Sequence, residues 1–353
     1  MASSIRAALI GLAEPAWAIL TGLRSISGLK LVGLADTDKE RLADFAQTSG
    51  LATYDDHRVM LVETQPKIVF VNVPRHQEAE VLGLAIEMGV VVWKPYPLAR
   101  NFAEAAGYVG RFAKANLGLY VSNPYRYSGG FEHICQWLGR LGKVHLIQDE
   151  YMLPAAMGGE ITGWRASKTQ AGGGVLLEGA YPGLELITSE FGLPAQVYCL
   201  ARTGLGVQTD RPYETEDLSM VSLAFSGGTL AASAALRVAA RADRQTVWHG
   251  AKGKLTFKDG LVSWQSTDNG PIEVRRFRDR LERPYSRQAH ELALALRGEH
   301  PAASTGRDHL AAMAVIEAAY LSARTGQPES PSHFYALHDL TPPAAPVITC
   351  PAG

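Results

Sequence analysis

The chain has 353 residues, 46% hydrophobic and 20% charged, and its 34 basic and 35 acidic residues leave a formal net charge of -1. That balance gives no overall pull toward nucleic acid or an anionic membrane, and the length exceeds one ordinary domain of about 100–200 residues. Three distant cysteines, Cys135, Cys199 and Cys350, support neither a disulfide framework nor a Cys-x-x-Cys metal site.

No apolar run reaches the roughly 18 residues of a membrane span. The opening Met-Ala-Ser-Ser-Ile-Arg runs straight into a strand and lacks the basic region and cleavage site of a signal peptide. These features predict a cytoplasmic protein acting on a small, neutral or weakly charged ligand.

Strand and helix alternate through the first 122 residues. Residues 5–10 read as a buried strand, 16–25 as a helix, 29–35 as a strand and 38–49 as a helix with Asp38 and Glu40 in its first turn. Tyr54 and the Asp55-Asp56 turn lead into a helix at 57–63. The run 67–73 is continuously apolar and β-branched, closed by Pro74, and is followed by a helix to Gly89 and a strand that stops at Trp93-Lys94-Pro95. A helix at 101–115 and a strand at 119–121 complete a doubly wound parallel sheet of the Rossmann type.

From about Asn123 the rhythm changes to a helix, a strand, a Gly-rich break, a second helix and then seven short runs of alternating apolarity, at 197–202, 218–225, 229–238, 245–249, 254–257, 261–266 and 272–277. This predicts an α+β domain around a large, mainly antiparallel open sheet. Helices at 286–297 and 307–325 follow, and the tail from Thr341 is Pro-rich and extended. The division is therefore 1–122 for dinucleotide binding, 123–340 for substrate and oligomerisation, and 341–353 as tail.

A dinucleotide needs a tight turn after the first strand, so that amides and a helix N-terminus approach the pyrophosphate. Here Gly11-Leu12-Ala13-Glu14-Pro15-Ala16 keeps only the first glycine of G-x-G-x-x-G, with Ala13 and Ala16 in the other two places and Glu14 beside them. Asp36, ending the second strand, is placed to accept from the ribose hydroxyls and repel a 2′-phosphate, which favours NAD over NADP. Its other reading is a turn residue or helix N-cap. Lys94 ends a parallel strand at the edge where open α/β sheets bind ligands, and is either catalytic or a solvated lysine.

Gly172-Gly173-Gly174 lets the backbone pass close to a ligand or another segment. Glu178, Tyr181, Pro182 and Glu185 then fall at i, i+3, i+4 and i+7, one helix face that forms either a polar pocket wall or a solvated side. Arg126, just past the last strand of the first domain, is placed to face the cleft or to lie on the surface. His290-Glu291 lacks the second histidine of a zincin and no G-x-S-x-G appears, so no metal site and no serine hydrolase are expected.

In order along the chain stand the Gly11 turn, Ala35-Asp36, Val73-Pro74-Arg75-His76, Lys94-Pro95 with Pro97-Leu98-Ala99, Asn123 to Arg126, Trp164-Arg165, the triple glycine, and Thr305-Gly306-Arg307-Asp308. This order resembles the Gfo/Idh/MocA oxidoreductases, over residues 5–328. The resemblance implies a Rossmann domain followed by an α/β domain whose open sheet makes homodimers or homotetramers. It also implies NAD(P)-dependent oxidation of a hydroxyl on a sugar, cyclitol or related polyol.

Measured against the family, Trp93 replaces the glutamate of Glu-Lys-Pro, Glu78 stands where many members have a histidine, and the usual catalytic histidine is Pro182. The expected catalytic set is then Lys94, Tyr181 and Glu178. Gly11, Ala13, Ala16, Asp36, Pro74 and Lys94 are expected to bind NAD (alternatively NADP), and Lys94, Arg126, Arg165, Glu178, Tyr181 and Glu185 a small polyhydroxylated substrate. The runner-up is a catalytically silent member that senses a ligand or binds a partner.

Overall fold

Continuous apolar strands predict a sheet covered on both faces, and the first third of the chain builds one. The computed structural model describes residues 4–154, 162–205, 213–268 and 270–343. Strands β1 (Ile5–Ile10), β2 (Leu29–Ala35), β3 (Thr53–Tyr54), β4 (Ile68–Val71), β5 (Val91–Pro95) and β6 (Leu119–Ser122) are all parallel, in the order β3-β2-β1-β4-β5-β6. The order reverses between β1 and β4, and the crevice beyond their carboxyl ends is where this topology binds ligands.

Side chains of the sheet alternate between two cores. Ala8, Ile10, Val69, Val71 and Val92 join the larger core, while Ala7, Leu9, Phe70 and Trp93 enter the other beside α1 (Ala16–Arg24) and α2 (Lys39–Ser49). Tyr285, Ala289 and Leu292 also lie in this second core, because the late helix Glu282–Leu296 returns to pack on α1. The helix starts are set locally: Asp38 caps α2 through the amides of Glu40 and Arg41, and Asn101 caps helix Phe102–Lys114 through that of Glu104.

The second sheet has eight strands, β7 (Val144–Pro154), β8 (Gln196–Arg202), β9 (Leu218–Ala224), β10 (Leu230–Ala239), β11 (Asp243–Gly250), β12 (Gly253–Lys258), β13 (Leu261–Ser266) and β14 (Glu273–Arg276). Their order is β14-β13-β12-β11-β7-β10-β9-β8, and every pairing is antiparallel except β7 with β10. Helices Tyr181–Phe191 and Leu310–Thr325 lie in the core on its inner face. The outer face carries the exposed Tyr198, Leu200, Met220 and Leu230.

Two helix starts differ from the sequence reading by three residues or more. The helix expected at 286 begins at Glu282, with Pro284 in its first turn, where the lost N–H had no partner to lose. The helix expected at 307 begins at Leu310, because the Asp308 carboxylate accepts from the Thr305 amide (2.8 Å) and hydroxyl (2.6 Å) and closes a turn there. A short helix, Ser332–Leu337, was not foreseen. The Pro-rich tail lies outside the described residues from 344 onward.

Trp93 is 1% exposed and packs edge-to-face on Phe70 at 4.7 Å between ring centroids. Trp93→Ala is expected to destabilise the protein by about 3–5 kcal/mol, read as a lower urea midpoint at unchanged denaturant slope.

Candidate functional site

The turn after β1 is pressed against the end of β4. Gly11 has φ +88°, and a Cβ there would collide with the Asn72 carbonyl oxygen, so glycine is required by the neighbouring strand as well as by the turn. The Asn72 amide donates to Ala13 O at 2.8 Å and braces the loop from below. Ala13 and Glu14 are exposed and Ala16 is buried.

Asp36 accepts from the Leu12 amide (2.6 Å) and the Asp38 amide (2.9 Å) and pairs with Arg41 at 3.2 Å. It therefore ties the turn to β2, while the N-cap is Asp38. No side chain caps α1: the Ala16 amide donates to Ala13 O at 2.9 Å, which leaves the amides of Trp17 and Ala18 to solvent or to an anion. A diphosphate fits that vacancy, so this donor set suits a dinucleotide.

Lys94 is not at the open cleft wall where the sequence reading put it. Its side chain is 0% exposed, and Nζ donates to the carbonyls of Pro95 (3.2 Å), Pro97 (2.5 Å) and Leu98 (3.1 Å) and meets Glu78 Oε1 at 3.1 Å. The segment after β5 folds its carbonyls back over the ammonium. Burial lowers the Lys94 pKa and pushes that of Glu78 up to about 7, each against the attraction of the other. Four acceptors around one nitrogen hold the proton on Lys94, since a neutral amine has only two N–H groups to give.

The helix face read from Glu178 to Glu185 is neither a solvated side nor one continuous wall. A π-helical turn, Leu176–Ala180, precedes helix Tyr181–Phe191, so Glu178 leaves the α-helical phase of the residues after it. Pro182 sits in the first turn, where the helix begins. Tyr181, Pro182 and Glu185 are buried, and Glu178 stays partly exposed, its side chain at 34%.

The phenol of Tyr181 accepts from the Leu98 amide (3.3 Å) and lies 2.9 Å from His309 Nδ1. His309 Nε2 lies 2.8 Å from Ser304 Oγ, which donates to Val121 O at 2.8 Å. Only one assignment satisfies every group: the phenol donates to Nδ1 and Nε2–H donates to Ser304, so the imidazole is neutral. Burial agrees, pushing His309 down to about 4 and Tyr181 well above its usual value. Lys94 and Tyr181 thus grip the same residue, Leu98, one by its carbonyl and the other by its amide.

Arg126 and Glu185 do not face the cleft. They are 2% and 1% exposed and form an ion pair with each other, and Asn123 Nδ2 donates to Glu185 Oε2 at 2.6 Å. Burial pushes the Glu185 carboxyl up most, but the Arg126 charge and the hydrogen bonds from Arg126 and Asn123 together hold the carboxyl below its usual value. The helix is covered on all sides, so a carboxylate on it needs an internal cation.

The groups that do border the cleft are Glu178, Arg75, Arg165 and Trp164. Glu178 Oε1 pairs with Arg75 and, at 3.5 Å, with Arg165 Nε. Both guanidinium groups lie over the Trp164 ring, at 4.9 and 4.3 Å. The triple glycine serves packing between protein segments: a Cβ on Gly172, Gly173 or Gly174 would strike Arg100, Tyr320 or Glu216 respectively.

Residues 5–122 match the model of the oxidoreductase family with an NAD-binding Rossmann fold, and residues 138–330 match that family's C-terminal alpha/beta domain. The chain belongs to the Gfo/Idh/MocA oxidoreductase family. Its N-terminal domain is an NAD-binding Rossmann domain. A D-apiose dehydrogenase of Paraburkholderia graminis is 24% identical over 336 residues, covering 86% of this chain and 84% of the relative.

Among solved structures, an oxidoreductase domain protein from Kribbella flavida is 22% identical with a TM-score of 0.84, covering 93% of this chain and 99% of that one. A levoglucosan dehydrogenase in complex with NADH and levoglucosan is 17% identical with a TM-score of 0.84 at the same coverages.

Four polar residues of this Gfo/Idh/MocA protein escaped the sequence reading of the site: Glu78, Arg75, His309 and Arg244. Arg244 lies on β11 opposite Tyr151 of β7, with its guanidinium 3.5 Å from the Tyr125 ring centroid. Glu78 and Arg75 stand in segments that the reading quoted for the resemblance alone. His309 directly follows the Thr305–Asp308 turn, the one local pointer to it.

The neutral state of His309 has a consequence for stability. Its pKa is lower in the fold than the ordinary 6.5, so between 6.5 and about 4 the unfolded chain binds the extra proton. Stability therefore rises with pH through that window and is lost as pH falls, by up to about 1.4 kcal/mol per pH unit. Urea midpoints from about pH 7 down to about pH 4 should fall less steeply in His309→Gln than in the parent.

Proposed function

We propose that this chain is an NAD(P)-dependent oxidoreductase that moves a hydride between the nicotinamide and a hydroxyl-bearing carbon of a sugar, cyclitol or related polyol. One observation carries the reading: the uncapped N-terminus of α1 follows β1, and Arg75, paired with Glu178, follows β4, so both stand at the carboxyl ends of the two strands that flank the order reversal. The sugar dehydrogenases among the relatives support the substrate class.

In this proposal Gly11, Ala13, Ala16, Asp36 and Pro74 line the cofactor, with NAD favoured because Asp36 stands at the ribose end. When bound, the nicotinamide supplies the hydride acceptor. Glu178 and Arg165 take substrate hydroxyls directly. Arg126 and Glu185 hold the floor behind them, and Lys94 positions the loop at 95–99.

Tyr181 takes the hydroxyl proton as its own passes to His309 Nδ1, which leaves the phenol unchanged and the imidazole charged. For that step the substrate hydroxyl replaces the Leu98 amide on the phenol oxygen. The exposed Tyr198, Leu200, Met220 and Leu230 form the proposed face of a homodimer or homotetramer.

A second reading is favoured by the burial of both Lys94 and Tyr181 at 0% exposure: a family member without turnover that binds a ligand or partner. Titration with NADH and a screen of sugars, cyclitols and sugar acids with NAD and NADP separate the two. Turnover is expected, and Tyr181→Phe should lower kcat by about 10²–10⁴-fold while NADH affinity changes less than about threefold. NADH binding without turnover selects the silent reading, and no nicotinamide binding at all removes the oxidoreductase.

Lys94→Met strands the buried Glu78 carboxylate and should cost about 3–5 kcal/mol at neutral pH, measured by urea unfolding.

A further inference from the structure

Each of the deeply buried arginines in the described residues has an acid to answer it. Arg75 is 5% exposed and pairs with Glu178, Arg126 is 2% exposed and pairs with Glu185, and Arg237 is 7% exposed and pairs with Asp217 at 2.7 Å. Arg244 differs. It is partly buried on the inner face of the second sheet, makes no ion pair among the described residues, and its Nη1 is buried without a hydrogen-bond partner. Leaving a guanidinium N–H unanswered away from water costs free energy that a fold does not ordinarily leave uncompensated.

Its surroundings are aromatic. The guanidinium lies 3.5 Å from the Tyr125 ring centroid and 5.4 Å from that of Tyr151, a stacked arrangement that fixes the plane of the fork. Asp149 bears on it electrostatically but is already engaged by Ser233 (3.0 Å) and Thr246 (2.9 Å). The Tyr151 ring packs on Gly179, next to Glu178, which joins Arg244 to the cleft wall already described. Along that wall Glu178 is already shared by Arg75 and Arg165, and among the described residues no carboxylate forms an ion pair with Arg244.

We propose that Arg244 receives the carboxylate of the substrate, which makes the substrate a polyhydroxy carboxylic acid such as an aldonic or uronic acid. A planar fork matches a carboxylate with two parallel N–H···O bonds, and the hydroxyls then extend along Tyr151 toward Glu178 and Arg165. One unpaired cation suits a monoanion; a phosphate monoester, near two charges, calls for a second. This inference rests on the oxidoreductase reading for its hydroxyl chemistry, and its anion site can be tested apart from turnover.

The test is calorimetric titration of the full-length protein, with and without NADH, using D-gluconate, D-glucuronate, D-glucose and D-glucose 6-phosphate as probes. Arg244→Gln and Arg244→Lys are titrated beside the parent, with melting temperatures to confirm folding. At least one of the two acids should bind about tenfold or more tighter than glucose. Arg244→Gln should bring that ratio close to one, and Arg244→Lys should leave it intermediate.

Glucose binding as tightly as the acids, a preference that survives Arg244→Gln, or no acid binding at all overturns the proposal. Tighter binding of the phosphate ester than of both acids overturns the carboxylate assignment. NADH binding without any acid preference defeats this inference and leaves the oxidoreductase reading standing. Acid preference without NADH binding does the reverse.

Discussion

Leu98 is held from two sides, and the cleft depends on it. Its carbonyl accepts from the Lys94 ammonium at the end of β5, and its amide donates to the Tyr181 phenol on a helix of the second domain. One short peptide therefore couples the edge of the parallel sheet to the inner face of the antiparallel one. The coupling continues through His309 and Ser304 to the carbonyl of Val121 on β6. Every donor in that chain has one acceptor, which is what a polar network must achieve to rigidify a buried site.

The same economy explains why three residues chosen as ligand contacts turn out to be internal. A helix covered on every side cannot carry Glu185 without Arg126, and a central parallel strand cannot carry Lys94 without Glu78 and a ring of carbonyls. The charged groups that stay partly exposed lie at the margin of this packing. Glu178 reaches the margin because the π-helical turn shifts it out of line with Tyr181.

The fold was readable wherever burial is written locally. Strands at 5–10, 29–35 and 261–266 follow from apolar runs between turn residues and coincide with the structure at both ends. The change of rhythm near Asn123 announced the second sheet. In the site, spacing could name Glu178, Tyr181, Arg126 and Glu185 but could not pair them, since Arg126 and Glu185 lie 59 residues apart. His309 and Arg244 carried no periodic signal, because each meets its partners only through tertiary packing. Lys94 was expected at an open edge because a strand end suggests exposure, whereas β5 is covered on both faces.

The return of helix Glu282–Leu296 to α1 has a consequence for synthesis. During translation the face of the first sheet bearing Leu9, Phe70 and Trp93 stays partly uncovered until the distant segment with Tyr285, Ala289 and Leu292 has left the ribosome. The nucleotide-binding domain thus precedes by a long stretch of chain the helix that seals it. Until then that apolar flank stays open to contacts outside the fold.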